Sequence, residues 1–215
     1  SVSACGSLKE ELKPLDFVIP LQFVDRTNQA RKYTFFDEGI TAHISFSHPV
    51  CSDLAKLVHD AAKDSKAAEG DPERSRGTTV HLGGTYLNME GPQFSTLAES
   101  NLYRSWGMDI IGMTNMAEAR LAREAEICYV TLAAVTDYDC WREGEETVSV
   151  DAIIGNLKKN VENAKKILKN VVSRIPEKRT CGCKEALKYA IITDRKAISG
   201  KEKKKLDILI GKYVK

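Results

Sequence analysis

Two apolar runs without clean alternation, FVIPLQFV at residues 17–24 and CYVTLAAV at 128–135, predict strands covered on both faces. The shorter DIIGM at 109–113 predicts a third. Between these runs the apolar positions recur at helical intervals. Leu54, Leu57, Val58 and Ala61 share one face of a helix predicted over 53–63, and further helices are predicted over 95–106 and 117–126. The longest is expected at 151–172, where Ile154, Leu157, Val161, Ala164, Leu168 and Val171 keep the helical period and Ser149 or Asp151 can cap the start. Strands alternating with helices predict an α/β fold, a twisted sheet flanked by helices.

Pro176 ends the long helix, and the pattern changes beyond it. EKRTCGC reads as a linker, followed by two shorter helices at 184–192 and 201–210, the second capped by Ser199 and closed by Gly211. The chain therefore divides into a main domain at 1–176 and a helical extension at 177–215. A charged stretch broken by Gly and Pro, 66–76, reads as a surface loop, and the opening SVSACGSL reads as a loop that follows a strand lying upstream of Ser1.

Composition narrows the class. With 215 residues, 42% of them hydrophobic, the chain can bury a substantial core, and no apolar run is long enough to span a membrane. A soluble cytoplasmic protein is expected. The formal net charge is +2, and twelve of the 32 Lys and Arg fall in 177–215 against five of the 30 Asp and Glu, so the basic excess lies wholly in the extension. A lysine-rich helix is more often a solvated face than a nucleic-acid contact, and nucleic-acid binding is not expected. The six cysteines lack the secretory context of a disulfide framework. Cys181 and Cys183 form a CGC pair, and a zinc site would need two further ligands at suitable spacing, which the neighbouring sequence does not supply. No metal is expected. His43, His48, His59 and His81 read as structural or exposed.

The chemistry concentrates in MEGPQFSTLAESNLYRSWGMDIIGMTNM, residues 89–116, and in TDYDCW, residues 136–141. Asp137 and Asp139 stand two residues apart, so in an extended segment both project to one side. Two neighbouring carboxylates in a partly buried site raise one another's pKa, and one can stay protonated near neutral pH. Alone, TDYD describes an Asx turn at a strand end. Following a buried strand of an α/β sheet, it stands where such sheets bind ligands.

Together these motifs resemble the trimeric purine nucleoside phosphorylase family, and the two carboxylates place the chain nearest its 5′-methylthioadenosine phosphorylases. The resemblance runs from Ser1 to about Pro176. It implies a purine nucleoside phosphorylase-like mixed twisted sheet and phosphorolysis of 5′-methylthioadenosine to adenine and 5-methylthioribose 1-phosphate, a step of purine and methionine salvage. Inorganic phosphate is then the co-substrate and no cofactor is needed. Asp137 would donate to N7 of the leaving purine and Asp139 would accept from its 6-amino group, whereas related 6-oxopurine enzymes carry Asn at the position of Asp137. Phe94 would stack on the base, with Ser95 capping the helix behind it. Met113 would lie beneath the ribose, and Ser3, Ala4 and Thr114 would hold phosphate; Thr is the more usual residue at Ser3.

At the 5′ end, Val148, Val150 and Ile153 would form an apolar wall suited to methylthio, although the same positions begin the long helix and read equally as core. The 48–50 segment resembles one that reaches into a neighbour's 5′ pocket, so a homo-oligomer, trimer or hexamer, is implied. The resemblance also suggests a stabilising or redox-sensitive bridge between Cys181 and Cys183, beside the reading of two free thiols. Family members begin with a strand, a Gly-rich phosphate loop and an Arg-His pair upstream of the position of Ser1. Two alternatives therefore stay open, a phosphorylase of broader or 6-oxopurine specificity and a non-catalytic purine-binding fragment.

Overall fold

The computed structural model describes residues 1–28, 32–36, 39–65, 78–142 and 150–214. Seven strands form one mixed sheet: β1 (Val2–Ser7), β2 (Phe17–Ile19), β3 (Gln22–Arg26), β4 (Val80–Leu82), β5 (Thr85–Met89), β6 (Ile110–Gly112) and β7 (Leu132–Asp137), in the order β3-β5-β6-β1-β7-β2-β4. Residues 2–7 are thus a central strand rather than a loop. Val2–Ser7 is short and rich in small residues, a pattern that reads as a turn until neighbours are present. Here it runs parallel to β7 and antiparallel to β6. The predicted strand at 17–24 is two strands, because the chain breaks at Pro20 and Leu21 and changes partner from β4 to β5, alongside the Gly83–Gly84 break between those two strands.

Helices cover both faces. α1 (Ser52–Lys63) and α4 (Val150–Val172) pack together over β2 and β7, burying Phe17, Ile19, Val58, Leu132, Ile167 and Val171 in the largest apolar cluster. Full burial of side chains of this size stabilises by about 1.5–3 kcal/mol each. Two asparagines interrupt the apolar face of α4. Asn160 donates to the Val135 carbonyl at 2.9 Å and Asn156 to the Thr136 carbonyl at 2.7 Å, tying the helix to the end of β7. α2 (Leu97–Ser105) starts at a capping box in which Thr96, not Ser95, accepts from the Glu99 N–H at 3.2 Å while the Glu99 carboxylate accepts from the Thr96 N–H at 2.8 Å. α3 (Met116–Glu124) follows β6.

The predicted helix at 184–192 is instead a 3-10 turn, Gly182–Glu185, followed by further turns. Tertiary partners take its backbone groups: Leu187 N–H donates to the Glu126 carboxylate, Ile192 N–H to the Thr41 carbonyl, and the Ala190 carbonyl accepts from His43. The last predicted helix is divided at Leu206 into α5 (Gly200–Lys205), capped by Ser199, and α6 (Asp207–Ile210). Leu187, Ala190, Ile198, Leu206, Ile210 and Val214 form a second core with Phe36 and Ile40. No described helix is long and apolar enough to cross a membrane.

Candidate active site

β1 is the spine of the site. Ser3, Ala4, Cys5 and Gly6 line a cavity of about 270 Å3, with Ile111, Gly112, Met113 and Thr114 from β6 and the residues after it on one side and Thr136, Asp137 and Asp139 from β7 on the other. Met89, Phe94 and Ile153 complete the wall. From Ser3 to Gly6 the strand advances about 10 Å. That separation sets hydroxyl groups at one end of the cavity and carboxylates at the other.

At the hydroxyl end, Ser3 Oγ and Thr114 Oγ1 lie 2.6 Å apart. The antiparallel register of β1 and β6, with Gly6 facing Ile111, carries Thr114 back alongside Ser3. Tyr86, fully buried on β5, supports the pair from below. Its hydroxyl accepts from the Thr114 N–H at 3.5 Å and lies 3.4 Å from Thr114 Oγ1. Burial pushes the Tyr86 phenol up to about 12, so it stays a neutral donor across the physiological range.

At the carboxylate end, a bulge sets the geometry. β1 and β7 pair residue for residue up to Cys5 and Val135, after which Gly6 faces Asp137 and Thr136 is skipped. Such an extra residue re-aims the side chains that follow it. The Thr136 hydroxyl lies 2.6 Å from Asp137 Oδ2, and Asp137 Oδ1 accepts the Asp139 N–H at 2.8 Å. Asp139 has φ +54, a left-handed conformation that Asp tolerates better than most residues. Burial first, then the charge of Asp137, pushes the Asp139 carboxyl above the ordinary aspartate range, against the Ser100 and Ser95 hydroxyls and the Cys140 backbone.

The loop that carries Asp139 is clamped at its far end. Trp141 Nε1 donates to the Ser7 carbonyl at 2.7 Å, and the Arg104 guanidinium stacks on the Trp141 ring at 3.6 Å.

Sequence reasoning brought Ser3, Ala4, Phe94, Met113, Thr114, Asp137, Asp139 and Ile153 to this pocket, and all eight line it. Phe94 stands at its mouth, 61% exposed, with its ring uncovered. Val150 opens α4, while Val148 lies outside the described residues. In the 48–50 segment His48 is exposed, whereas Val50 is buried in the core beside α1.

The contributors that were missed include Gly6, Gly112 and Thr136, which line the cavity beside Cys5, Met89 and Ile111, and Tyr86, which supports it. The glycines carried a readable signal, since glycine inside a strand marks a close approach. A Cβ on Gly6 would meet Asp137 Oδ1 at 3.0 Å, and one on Gly112 would overlap the Tyr86 hydroxyl at 2.0 Å. Tyr86 and Thr136 gave no signal, because their roles arise from strand pairing.

Comparison with known proteins follows the same lines. The phosphorylase superfamily profile matches residues 1–173. S-methyl-5′-thioadenosine phosphorylase of Geobacter sulfurreducens is 56% identical over 214 residues, all of this chain and 71% of the relative. That of Koribacter versatilis is 55% identical, over 99% of this chain and 69% of the relative. Among solved structures, a methylthioadenosine phosphorylase from an antarctic soil metagenomic library superposes with a TM-score of 0.87 at 47% identity, covering 97% of this chain and 70% of that one. The Schistosoma mansoni methylthioadenosine phosphorylase in complex with adenine gives 0.77 at 34% identity, covering 87% and 68%.

Proposed function

Because the chain belongs to the phosphorylase superfamily, among the S-methyl-5′-thioadenosine phosphorylases, we propose that it catalyses phosphorolysis of 5′-methylthioadenosine to adenine and 5-methylthioribose 1-phosphate. It is a pentosyltransferase. The observation that carries the assignment of roles is the placement of a paired hydroxyl group and a paired carboxylate group at opposite ends of one strand-lined cavity.

Cleaving the bond between C1′ and N9 leaves positive charge on the sugar and negative charge on the purine, so the site must stabilise both. Phosphate, held by Ser3, the Ala4 backbone and Thr114, attacks C1′ as that bond breaks. Asp137 delivers a proton to N7, so adenine departs neutral, and Asp139 accepts from the 6-amino group. Burial and the neighbouring Asp137 charge raise the proton affinity of Asp139, so the carboxylate end favours holding a proton. Met113 supports the ribose, and Phe94 covers the base once it is bound. Ile153 faces the 5′ substituent.

Phosphate is a co-substrate, and the chemistry as drawn calls on no cofactor. We place the enzyme in the cytoplasm, in purine and methionine salvage, as a homo-oligomer, trimer or hexamer. The apolar residues left exposed around α2, Leu97, Leu102 and Trp106, support assembly.

The test is adenine release from methylthioadenosine with and without phosphate, beside adenosine and inosine. Release that requires phosphate, with inosine the poorest substrate, is the expected result. Phosphate-independent release, or a preference for inosine, overturns the proposal.

A further inference from the structure

Away from the nucleoside pocket, four cysteines from three separated stretches of sequence meet at one point. The sulfurs of Cys51, Cys128, Cys181 and Cys183 all lie within 4.8 Å of one another, and Cys128 and Cys181 are 3.3 Å apart. Cys5 and Cys140 stand outside the group. Along the chain the CGC pair has no further ligands nearby; the fold supplies them from the start of α1 and from the approach to β7.

We propose that these four cysteines bind one structural zinc ion, which fastens the 177–215 extension to the sheet domain. The sulfur spacing fits a single centre. A zinc–sulfur bond of about 2.3 Å gives a regular tetrahedron edges of about 3.8 Å, which lies between the closest and the widest separations found here. A covalent S–S bond would need about 2.05 Å, and all six thiols are free. Four cysteines leave no open position, so the site is closed in the manner of structural zinc.

The surroundings suit the charge such a centre carries. Binding converts four thiols and Zn2+ into a tetrathiolate of net charge −2, with release of four protons. Cys51 is the N-cap residue of the twelve-residue α1, where the helix dipole favours negative charge. The Arg179 guanidinium lines the cleft beside Cys128 and donates to the Glu126 carbonyl at 2.8 Å. The scaffold is fixed before any metal arrives. Cys51 N–H donates to the Tyr129 carbonyl at 2.9 Å, holding the Cys51 and Cys128 segments together, and the Thr180 hydroxyl donates to Asp53 in the first turn of α1 at 3.0 Å. An apolar cleft of about 310 Å3, lined by Leu54, Ile127, Ile175 and Pro176, opens beside the cluster and gives an ion a route in.

The experiment uses the full chain, purified without chelator or oxidant, and measures metal by mass spectrometry of the elements. About one zinc per chain is expected, falling below a tenth in Cys183→Ser. The demetallated protein titrated with Co2+ alone should develop the intense visible and thiolate charge-transfer bands of a tetrahedral thiolate site, saturating at one equivalent. Chelation should lower the unfolding midpoint by on the order of 10 °C. A chain carrying no zinc whose thiols all react freely overturns the proposal, as does a non-reduced mass short by two or four hydrogens, which would mean disulfides. If Cys183→Ser does not fold, the zinc content and cobalt spectrum of the unmodified chain still decide the matter.

Discussion

The two ends of the nucleoside pocket stabilise charge by opposite means. At the Ser3–Thr114 end, neutral hydroxyls and a buried phenol of raised pKa offer donors without carrying charge, which suits a co-substrate that arrives as an anion. At the Asp137–Asp139 end, two carboxyls crowd against the backbone of β1, and one of them is driven toward its protonated form by burial and by its neighbour. The first end is built for binding. The second holds the carboxyl of raised proton affinity, at the end where the proposed reaction calls for a proton. Both ends are aligned along β1, with Ser3 on the strand itself and Thr114 and Asp137 brought beside it by its pairing with β6 and β7.

Removing the proposed proton donor should separate the two ends most sharply. Asp137→Asn keeps the shape and loses the acid. Its kcat/KM for methylthioadenosine should fall on the order of a thousandfold, within the range typical of general acid catalysis. The apparent KM for phosphate should stay within a factor of about three, because the substitution removes no contact at the hydroxyl end. Steady-state kinetics with each substrate varied in turn would show this. A comparable rise in the phosphate KM would mean that the ends are not independent.

The converse change is smaller. Thr114→Val retains the volume but removes the hydroxyl 2.6 Å from Ser3. A hydrogen bond to a charged ligand contributes about 1.5–3 kcal/mol, so the phosphate KM should rise roughly ten- to a hundredfold while adenine affinity by calorimetry is unchanged. Loss of adenine binding in this variant would place the base at the wrong end of β1.

How far each part could be read from the sequence follows from how its residues are encoded. Asp137 and Asp139 share four consecutive residues, and Met113 with Thr114 another short motif, so local spacing announced them. α1 and α4 declared themselves by apolar period, and their bounds differ from expectation by one residue at most. The β1 strand did not, since its six residues are small and its identity depends on pairing with β6 and β7. The bulge at Thr136 is a property of two strands together, and neither encodes it alone. The cysteine cluster lies at the far extreme, because only the CGC pair is local and the other two sulfurs arrive from residues 51 and 128. The segment after Gly182 shows the opposite failure. Cys183, Leu187 and Ala190 keep a helical spacing, yet contacts with Glu126 and Thr41 claim the backbone groups a helix would need.

The smallest effect expected concerns stability, and it tests whether the carboxylate end is strained when empty. The Asp139 carboxyl binds its proton more tightly in the folded protein than in the unfolded chain, since burial and the Asp137 charge both oppose ionisation. Between the unfolded value of 3.8 and the higher folded value, the native state holds the extra proton, so stability falls as pH rises through that window and the cost stays constant above it. Asp139→Asn removes the ionisable group. The variant should therefore melt slightly above the parent at pH 7, by about a degree or two, and this advantage should vanish below the unfolded pKa, where both proteins present a neutral side chain. Thermal melts from pH 3 to 8 would reveal the trend. A variant less stable than its parent at neutral pH, with no change in the difference on acidification, would mean that the Ser95 and Ser100 hydroxyls and the Cys140 backbone outweigh burial. The empty pocket would then already hold Asp139 as a settled anion rather than as a reserve of proton affinity.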